Sequence, residues 1–384
     1  MPRISLSAAL TVLCCVPLLL LAGCAGKGPF ESSSPKAGDL LLPDGTAAGD
    51  RDLVVRSYGV DYILIGEQHD NPLHHQVQAR LIRALAGLHP TVGLEMVAVD
   101  QNPALERFNR GEIGVDDLPA ALDWKNTWRF DFALYRPVFE ALAEEKISAY
   151  GLNVPQSTLD TLRRKGMAGL THKERKLLPD PVIFPPQVQR DELAKVFRIH
   201  EAMRRTKQTP TGDDKTAFER FILVQSIWDT GMADQAVRLR KAHGKPVIIL
   251  AGAGHVRGGT GIAARLQQLD PGARIVLVSP TSTAEKAGLS GADYYYYTPA
   301  RGGRLGLSLE QENEVVLVRA VLPNSPAEKA GIKAGDRIVS VAGKPVTALG
   351  DLHKAAAGRE PGAPLAMKVA RGGKDVDVKV VFEK

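Results

Sequence analysis

Two apolar runs in this chain end in the same way. Tyr62-Ile63-Leu64-Ile65 closes on Gly66-Glu67-Gln68-His69, and Val247-Ile248-Ile249-Leu250-Ala251 closes on Gly252-Ala253-Gly254-His255. Neither run alternates apolar with polar residues, as a strand with one wet face would. Each is therefore expected to be buried on both faces, the signature of a parallel strand with helices above and below. Further strands are expected at Val92–Met96, Ile147–Asn153 and Arg274–Ser279. Helices fill the gaps. One runs from Pro72 to Leu88 with Val77, Leu81, Leu85 and Leu88 on one face. Pro72 suits its first turn, and Asp70 or Asn71 can cap it. A second helical region spans Asp191 to His243 with a break near Thr209-Pro210-Thr211-Gly212. Together these predict an α/β domain over residues 39–300, a mostly parallel sheet covered by helices.

In an open parallel sheet, ligands bind beyond the carboxyl ends of the strands. The two Gly-x-x-His turns place His69 and His255 at that edge, and the strand Thr91-Val92-Gly93-Leu94 delivers Glu95 to it. Glycine lets the chain turn sharply there and leaves room for a ligand. Two histidines and one carboxylate form a workable set for a divalent metal such as zinc or manganese. Glu67 and Asp70 can orient the imidazoles from behind. The glycines Gly254, Gly258-Gly259 and Gly261 fit neither the Walker nor the dinucleotide spacing. Tyr135 can serve haem as a phenolate ligand or pack beside Phe132 and Phe139. Trp124 and Trp128, four apart, read as a pair on one helix face. His74 and His75, at the helix start, are candidate ligand contacts in an otherwise solvated position. The run Tyr294–Tyr297 reads as alternating tyrosines on an edge strand.

The amino terminus has a different character. From Ala8 to Ala22 there is no charge, and at about 15 residues the stretch is short for a membrane span, which needs roughly 20. It fits the apolar part of a signal peptide over residues 1–23. It closes in Leu21-Ala22-Gly23-Cys24, which resembles the lipobox of bacterial lipoproteins. The resemblance implies lipidation of Cys24 and, with Ala25 following, sorting to the outer membrane, with the face occupied left open. Residues 24–38 are rich in Gly, Ser, Pro and Ala and read as a flexible tether. Of the three cysteines, Cys14 and Cys15 would leave with the signal peptide. No thiol then remains for a disulfide, a zinc-thiolate site or a nucleophile. Lys and Arg number 49 against 43 Asp and Glu, an excess spread along the chain. Its local clusters, Arg163-Arg164-Lys165 and Lys173 to Lys176, read as solvated helix faces, so no nucleic-acid partner is expected.

Residues 39–299 resemble the ChaN family of haem-binding lipoproteins, within the Tiki superfamily that includes the TraB and erythromycin-esterase groups. The matching pieces are Gly66-Glu67-Gln68-His69-Asp70-Asn71, Gly93-Leu94-Glu95-Met96, Tyr135-Arg136-Pro137, Leu152-Asn153-Val154-Pro155, Gly252-Ala253-Gly254-His255-Val256 and Asp293-Tyr294 to Thr298-Pro299. The resemblance implies an α/β fold, haem as cofactor held between two subunits of a homodimer, and a role in iron acquisition. For the wider superfamily it implies metal-dependent hydrolysis with His69, Glu95 and His255; in that alternative Glu67 is the candidate general base. Tyr135, His74 and His75 stand as candidate haem contacts.

From about Gly303 the chain is rich in Val and Gly, with short strands expected at Val315–Val318, Asp336–Val341, Ala366–Ala370 and Val376–Val380. Short helices are expected after Pro326 and near Leu349–Ala356. Residues 303–384 resemble a PDZ domain of the kind found in HtrA-like proteases. The resemblance rests on Leu305-Gly306-Leu307-Ser308, on Val321-Leu322-Pro323-Asn324-Ser325-Pro326-Ala327-Glu328-Lys329-Ala330-Gly331 and on Ala334-Gly335-Asp336-Arg337-Ile338. It implies capture of a protein or peptide C-terminus, with Leu305, Gly306, Leu307 and Ser308 holding the carboxylate and Arg304 adding charge. The reading is thus a haem-binding lipoprotein with a partner-recruiting module. Its alternatives are a metal-dependent hydrolase and a pure interaction scaffold.

Overall fold

The computed structural model describes residues 34–128, 130–205, 214–282, 289–299, 305–312, 314–356, 359 and 362–382. The signal peptide, Cys24, most of the tether, the break at Thr209 to Gly212, Gly303 and Arg304 lie outside the described residues. Eight strands form the first sheet: β1 (Leu40–Leu41), β2 (Ala47–Ala48), β3 (Tyr62–Glu67), β4 (Thr91–Ala98), β5 (Ala149–Asn153), β6 (Val247–Gly252), β7 (Ile275–Thr281) and β8 (Tyr294–Tyr297). Their order is β2-β1-β8-β7-β3-β6-β4-β5. From β8 to β5 every neighbouring pair is parallel, while β1 pairs antiparallel with both β2 and β8.

Twelve α-helical segments accompany this sheet: α1 (Asp50–Arg56), α2 (Pro72–Leu85), α3 (Asn102–Asn109), α4 (Leu118–Ala121), α5 (Trp124–Thr127), α6 (Phe132–Glu144), α7 (Gln156–Lys165), α8 (His172–Arg175), α9 (Gln187–Arg205), α10 (Asp214–His243), α11 (Ala253–Val256) and α12 (Ile262–Leu269). The pleat of β3 and β6 divides its side chains between two cores. Ile63, Ile65, Ile248 and Leu250 pack with residues of α2 and α6. Tyr62, Leu64, Val247, Ile249 and Ala251 pack with residues of α10 and α12. This is why both runs lack polar residues: each has a helical layer on both sides. Burying a Val, Leu or Ile there stabilises by about 1.5–3 kcal/mol.

Two details depart from the sequence expectations, the end of the first long helix and the place of the tyrosine strand. The regular α-helix that opens at Pro72 ends at Leu85, and a 3₁₀ turn, Ala86–Leu88, leads into His89 in the left-handed region at φ 52°. The cap at its start is Asn71, whose Oδ1 accepts from the Leu73 N–H at 3.1 Å. The tyrosine strand β8 is not an edge strand: it lies between β1 and β7, and Tyr294, Tyr295 and Tyr296 are buried. The two-residue β1 supplies the antiparallel partner that no sequence pattern announces.

The second sheet has the order β14-β13-β11-β10-β9, with β12 paired to β11. Its strands are β9 (Leu307–Glu312), β10 (Val315–Val321), β11 (Arg337–Val341), β12 (Lys344–Pro345), β13 (Pro364–Arg371) and β14 (Lys374–Val381). The helices α13 (Pro326–Lys329) and α14 (Leu349–Ala356) accompany it, and every strand pairing is antiparallel. Its core, built on Val316, Val318, Ile338, Leu365, Val369, Val380 and Phe382, is distinct from the cores of the first sheet. Asp336, buried, takes two 2.7 Å bonds from Arg371. Burial works against the Asp336 carboxylate, but the Arg371 pair and the Lys333 N–H hold its pKa below the usual range.

Candidate functional site at the carboxyl edge of the parallel sheet

The register of the central strands fixes the site. Glu67, the last residue of β3, stands opposite Gly252, the last of β6, and Leu94 of β4 stands opposite Leu250. His69 follows β3 by two residues, His255 sits on α11 just beyond β6, and Glu95 is still within β4. The three therefore meet at one edge of the sheet. Glu95 Oε2 accepts the Gly252 N–H at 2.5 Å, and Glu95 Oε1 lies 3.6 Å from His255 Nε2. A Cβ added to Gly252 would stand 2.9 Å from His69 Cε1, 3.3 Å from His69 Nε2 and 3.5 Å from Glu95 Oε2. Glycine is needed here for close approach, since a methyl group would occupy the space between the imidazole and the carboxylate.

Each imidazole is held from behind by a buried carboxylate. His69 Nδ1 bonds Glu67 Oε1, and His255 Nδ1 donates to Asp229 Oδ1 at 2.6 Å. Glu67 and Asp229 are almost inaccessible. Asp229 has further support: Gln189 donates to its Oδ2 at 2.7 Å, and buried Arg265 donates to Gln189 Oε1 and to the Thr260 carbonyl. Burial opposes charge on both histidines, but the acids win. The fields of Glu95 and Asp229 and the Asp229 bond raise the His255 pKa to about 9. The Glu67 bond, with the fields of Glu95 and Glu67, raises that of His69.

The open side belongs to His69. Its side chain keeps 30% exposure against 14% for His255. The Trp128 ring meets it edge-on at 4.8 Å, and the Phe130 ring lies at 5.1 Å. Trp124, by contrast, is buried against Phe132, Tyr135 and Phe139. Trp124 opens the single turn α5 and Trp128 ends it, so one of the pair belongs to the core and the other to the site.

The other sequence candidates lie beneath this edge. His74 is 1% exposed and His75 is 0% exposed, so the solvated position expected for them is corrected. Their location explains the burial: the first turn of α2 lies under the turn after β3. His74 Nδ1 accepts the Gln68 N–H at 2.8 Å, and its Nε2 bonds Thr298 Oγ1 at 3.1 Å. His75 reaches the His69 carbonyl at 3.2 Å and Gln78 Oε1 at 3.1 Å. Both rings thus brace the loop that carries His69. Tyr135 is fully buried, with its hydroxyl 3.5 Å from Glu67 Oε1. Burial and the charge of Glu67 push its pKa well above the usual tyrosine value, which opposes formation of an axial phenolate. Asp70 is exposed, and the carboxylates that hold the two imidazoles are Glu67 and Asp229.

Among the described residues, no three His, Cys, Asp or Glu side chains are arranged to hold a metal ion. Haem makes a different demand, one axial donor beside an apolar wall. His69 meets part of it: Glu67 occupies Nδ1, Nε2 lies toward Gly252, and Trp128 and Phe130 flank a ring that stays partly exposed. Sequence reasoning missed Asp229, Gln189, Arg265 and Phe130. A signal existed for Asp229. Ile222, Ser226, Asp229 and Ala233 follow helical spacing and are all buried, so a carboxylate falls on a core-facing stripe.

In the second sheet, Leu305-Gly306-Leu307-Ser308 leads into β9, the last strand in the sheet order. Gly306 has φ 76°, and a Cβ there would run into Ser325. The Leu305 carbonyl accepts from Ala327 N at 2.9 Å and that of Gly306 from Leu322 N at 2.7 Å, so the loop is pinned through its carbonyls. Leu305, Leu307 and Leu309 pack partly buried against the core.

Comparison with known proteins locates both parts. A family model described as haem-binding uptake, Tiki superfamily, ChaN matches residues 53–266, and a PDZ domain model matches residues 303–381. A solved structure titled as cofacial haem binding to ChaN of Campylobacter jejuni superposes with a TM-score of 0.53 at 22% identity, covering 68% of this chain and 97% of that one. The HtrA3 PDZ domain bound to a phage-derived ligand is 28% identical over 21% of this chain and 84% of its own, with a TM-score of 0.19. The periplasmic pH-dependent serine endoprotease DegQ of Escherichia coli (strain K12) is 41% identical over 66 residues, 17% of this chain. The match spans 14% of the length of that protease.

Proposed function

The chain belongs to the ChaN haem-binding uptake family of the Tiki superfamily and carries a PDZ domain, and on that premise we propose that it is an outer-membrane lipoprotein that binds haem or a related iron compound for iron acquisition. The observation that carries the reading is His69, with one ring nitrogen fixed by Glu67 and a partly exposed ring flanked by Trp128 and Phe130. Haem, when bound, would supply an iron with an axial position suited to imidazole. The chain's own contribution is to hold one imidazole in a fixed orientation beside two aromatic rings; its raised pKa means that binding iron through Nε2 would displace a proton. The cofacial haem binding named for the Campylobacter protein supports a homodimer here, with haem held between two copies. The lipobox-like Leu21-Ala22-Gly23-Cys24 supports lipidation of Cys24 and anchoring in the outer membrane. The PDZ domain recruits a protein or peptide partner by strand addition at β9.

One observation favours a metal-dependent hydrolase. Both imidazoles have a carboxylate on Nδ1, as metal-bound histidines commonly do. Against it, one oxygen of Glu95 is taken by the Gly252 N–H, so the trio leaves less room for an ion.

Haemin titration of the purified protein, followed in the Soret region, separates the two. Binding is expected in the micromolar range or tighter, about 8 kcal/mol, and His69→Ala is expected to weaken it at least tenfold. A wild-type protein with no Soret shift, but with bound zinc or manganese and ester or peptide cleavage, would replace the haem reading with the hydrolase.

A further inference from the structure

We propose that the cleft between the end of α7 and the second turn of α10 is a binding site for the phosphate-bearing headgroup of an anionic phospholipid. It is a cavity of about 240 Å³ lined by Leu162, Leu223 and Val224 and by four cations, Arg163, Arg164, Lys165 and Arg220. Leu162 and Val224 are buried and form an apolar floor. Of the cations, Arg163 pairs with Asp160 at 2.9 Å and lies over the Trp228 ring at 5.3 Å. Among the described residues, Arg164, Lys165 and Arg220 have no ion-pair partner. The nearby Glu174 carboxylate is engaged by Thr171 at 2.7 and 2.8 Å and also lies in the field of Lys165, so Arg164 and Arg220 are the cations with no acidic partner among the described residues.

An ordinary solvated helix end explains part of this. The carboxyl end of a helix favours cations, so Arg163, Arg164 and Lys165 suit the last turn of α7. Arg220 does not fit that account. It stands in the second turn of a 30-residue helix, at the end where the dipole offers a cation nothing. It also brings like charge to the other three exposed cations, a weak, solvent-screened repulsion that an entering anion would relieve. Arginine forks match phosphate oxygens in pairs. The apolar floor suits the glycerol and first methylenes that follow a lipid phosphate. Met167, 46% exposed just beyond α7, adds apolar surface at the same corner. A free anion would use the cations but not the floor.

Trp228, under Arg163, provides the readout. Dihexanoyl phosphatidylglycerol, kept below its micelle concentration, is titrated into the full chain while tryptophan emission is followed. Saturable binding is expected, at least tenfold tighter than for dihexanoyl phosphatidylcholine or inorganic phosphate. The Arg164→Gln/Arg220→Gln pair is expected to weaken it tenfold or more, with circular dichroism unchanged, and Trp228→Phe to remove the signal. Equal binding of the glycerol and choline lipids, equal binding of phosphate, or indifference to the paired substitution overturns the proposal. If the paired variant loses its circular dichroism, the single variants decide: folded Arg220→Lys should bind more weakly than the unaltered chain but more tightly than folded Arg220→Gln, and equal binding of all three counts against the site.

Discussion

Replacing Asp229 by asparagine should destabilise the α/β domain most at neutral pH and much less in alkali. The reasoning starts from His255, whose pKa in the folded protein is raised from 6.5 to about 9. That rise corresponds to roughly 3 kcal/mol of preference for the imidazolium, supplied by Glu95 and Asp229 together. A raised pKa gives stability that is complete below the unfolded value and lost as the pH climbs through the folded one. Below about pH 6.5 the charged pair is intact, and above about pH 9 the ring is neutral. Asparagine removes the charge, and its single oxygen cannot accept from both His255 Nδ1 and Gln189 Nε2. One buried donor is then left unpaired, at a cost of about 1–3 kcal/mol at any pH. The expected loss is therefore about 3 kcal/mol near pH 6.5, falling to about 1 kcal/mol near pH 9.5, because only the unpaired donor still counts there. Urea unfolding followed by tryptophan emission measures it cleanly. Trp124, Trp128 and Trp228 all precede residue 303, so the PDZ domain is silent. A loss that stays constant from pH 6.5 to 9.5, or no loss at all, would refute the argument.

Two further outcomes are expected. The PDZ domain should bind a peptide through its free C-terminus, and amidating that terminus should weaken binding tenfold or more in a calorimetric titration; equal binding of both forms would mean that Leu305 to Ser308 does not hold the carboxylate. Cys24→Ser should abolish lipidation and leave the chain uncleaved or soluble, as read by palmitate labelling and membrane fractionation; a correctly processed Cys24→Ser chain that remains in outer membranes would remove the anchor.

The sheet was legible because burial on both faces leaves no alternative to apolar residues. Tyr62 to Ile65 and Val247 to Ala251 therefore announced β3 and β6, and the turn glycines announced where each stopped. The shared edge also followed, since parallel neighbours carry their carboxyl ends to one side, where His69, Glu95 and His255 lie; the order of the strands did not. Short elements were not legible. Two residues of β1 carry no periodicity, yet they turn the tyrosine strand from an edge into an interior strand. His74 and His75 were misplaced for a related reason: a helix start is usually wet, but here the loop after β3 folds over it and uses both rings as supports. The supports of His255 were hidden most deeply. Gln189, Asp229 and Arg265 lie on three separate helices, and nothing local in the sequence couples them.

The two histidines look equivalent in sequence and are not equivalent in space. His255 is enclosed between Glu95 and Asp229, with a second layer of Gln189 and Arg265 behind the latter. Its surroundings favour a positive charge, which offsets the repulsion that two buried carboxylates would otherwise exert. His69 is hydrogen-bonded to a buried carboxylate at Nδ1, feels the field of Glu95, and keeps a partly exposed ring flanked by two aromatic side chains. Of the two imidazoles, His69 is the more exposed to a ligand arriving from solvent. This asymmetry fits a site with one primary donor and a charged scaffold behind it. It fits less well a symmetric ion held equally by both rings, because the carboxylate between them is already committed to the Gly252 N–H. The paired glycines therefore do different work: Gly66, still within β3, lets Ala253 and Val256 of α11 pack against the strand, and Gly252 leaves the His69 imidazole and Glu95 the space to approach each other.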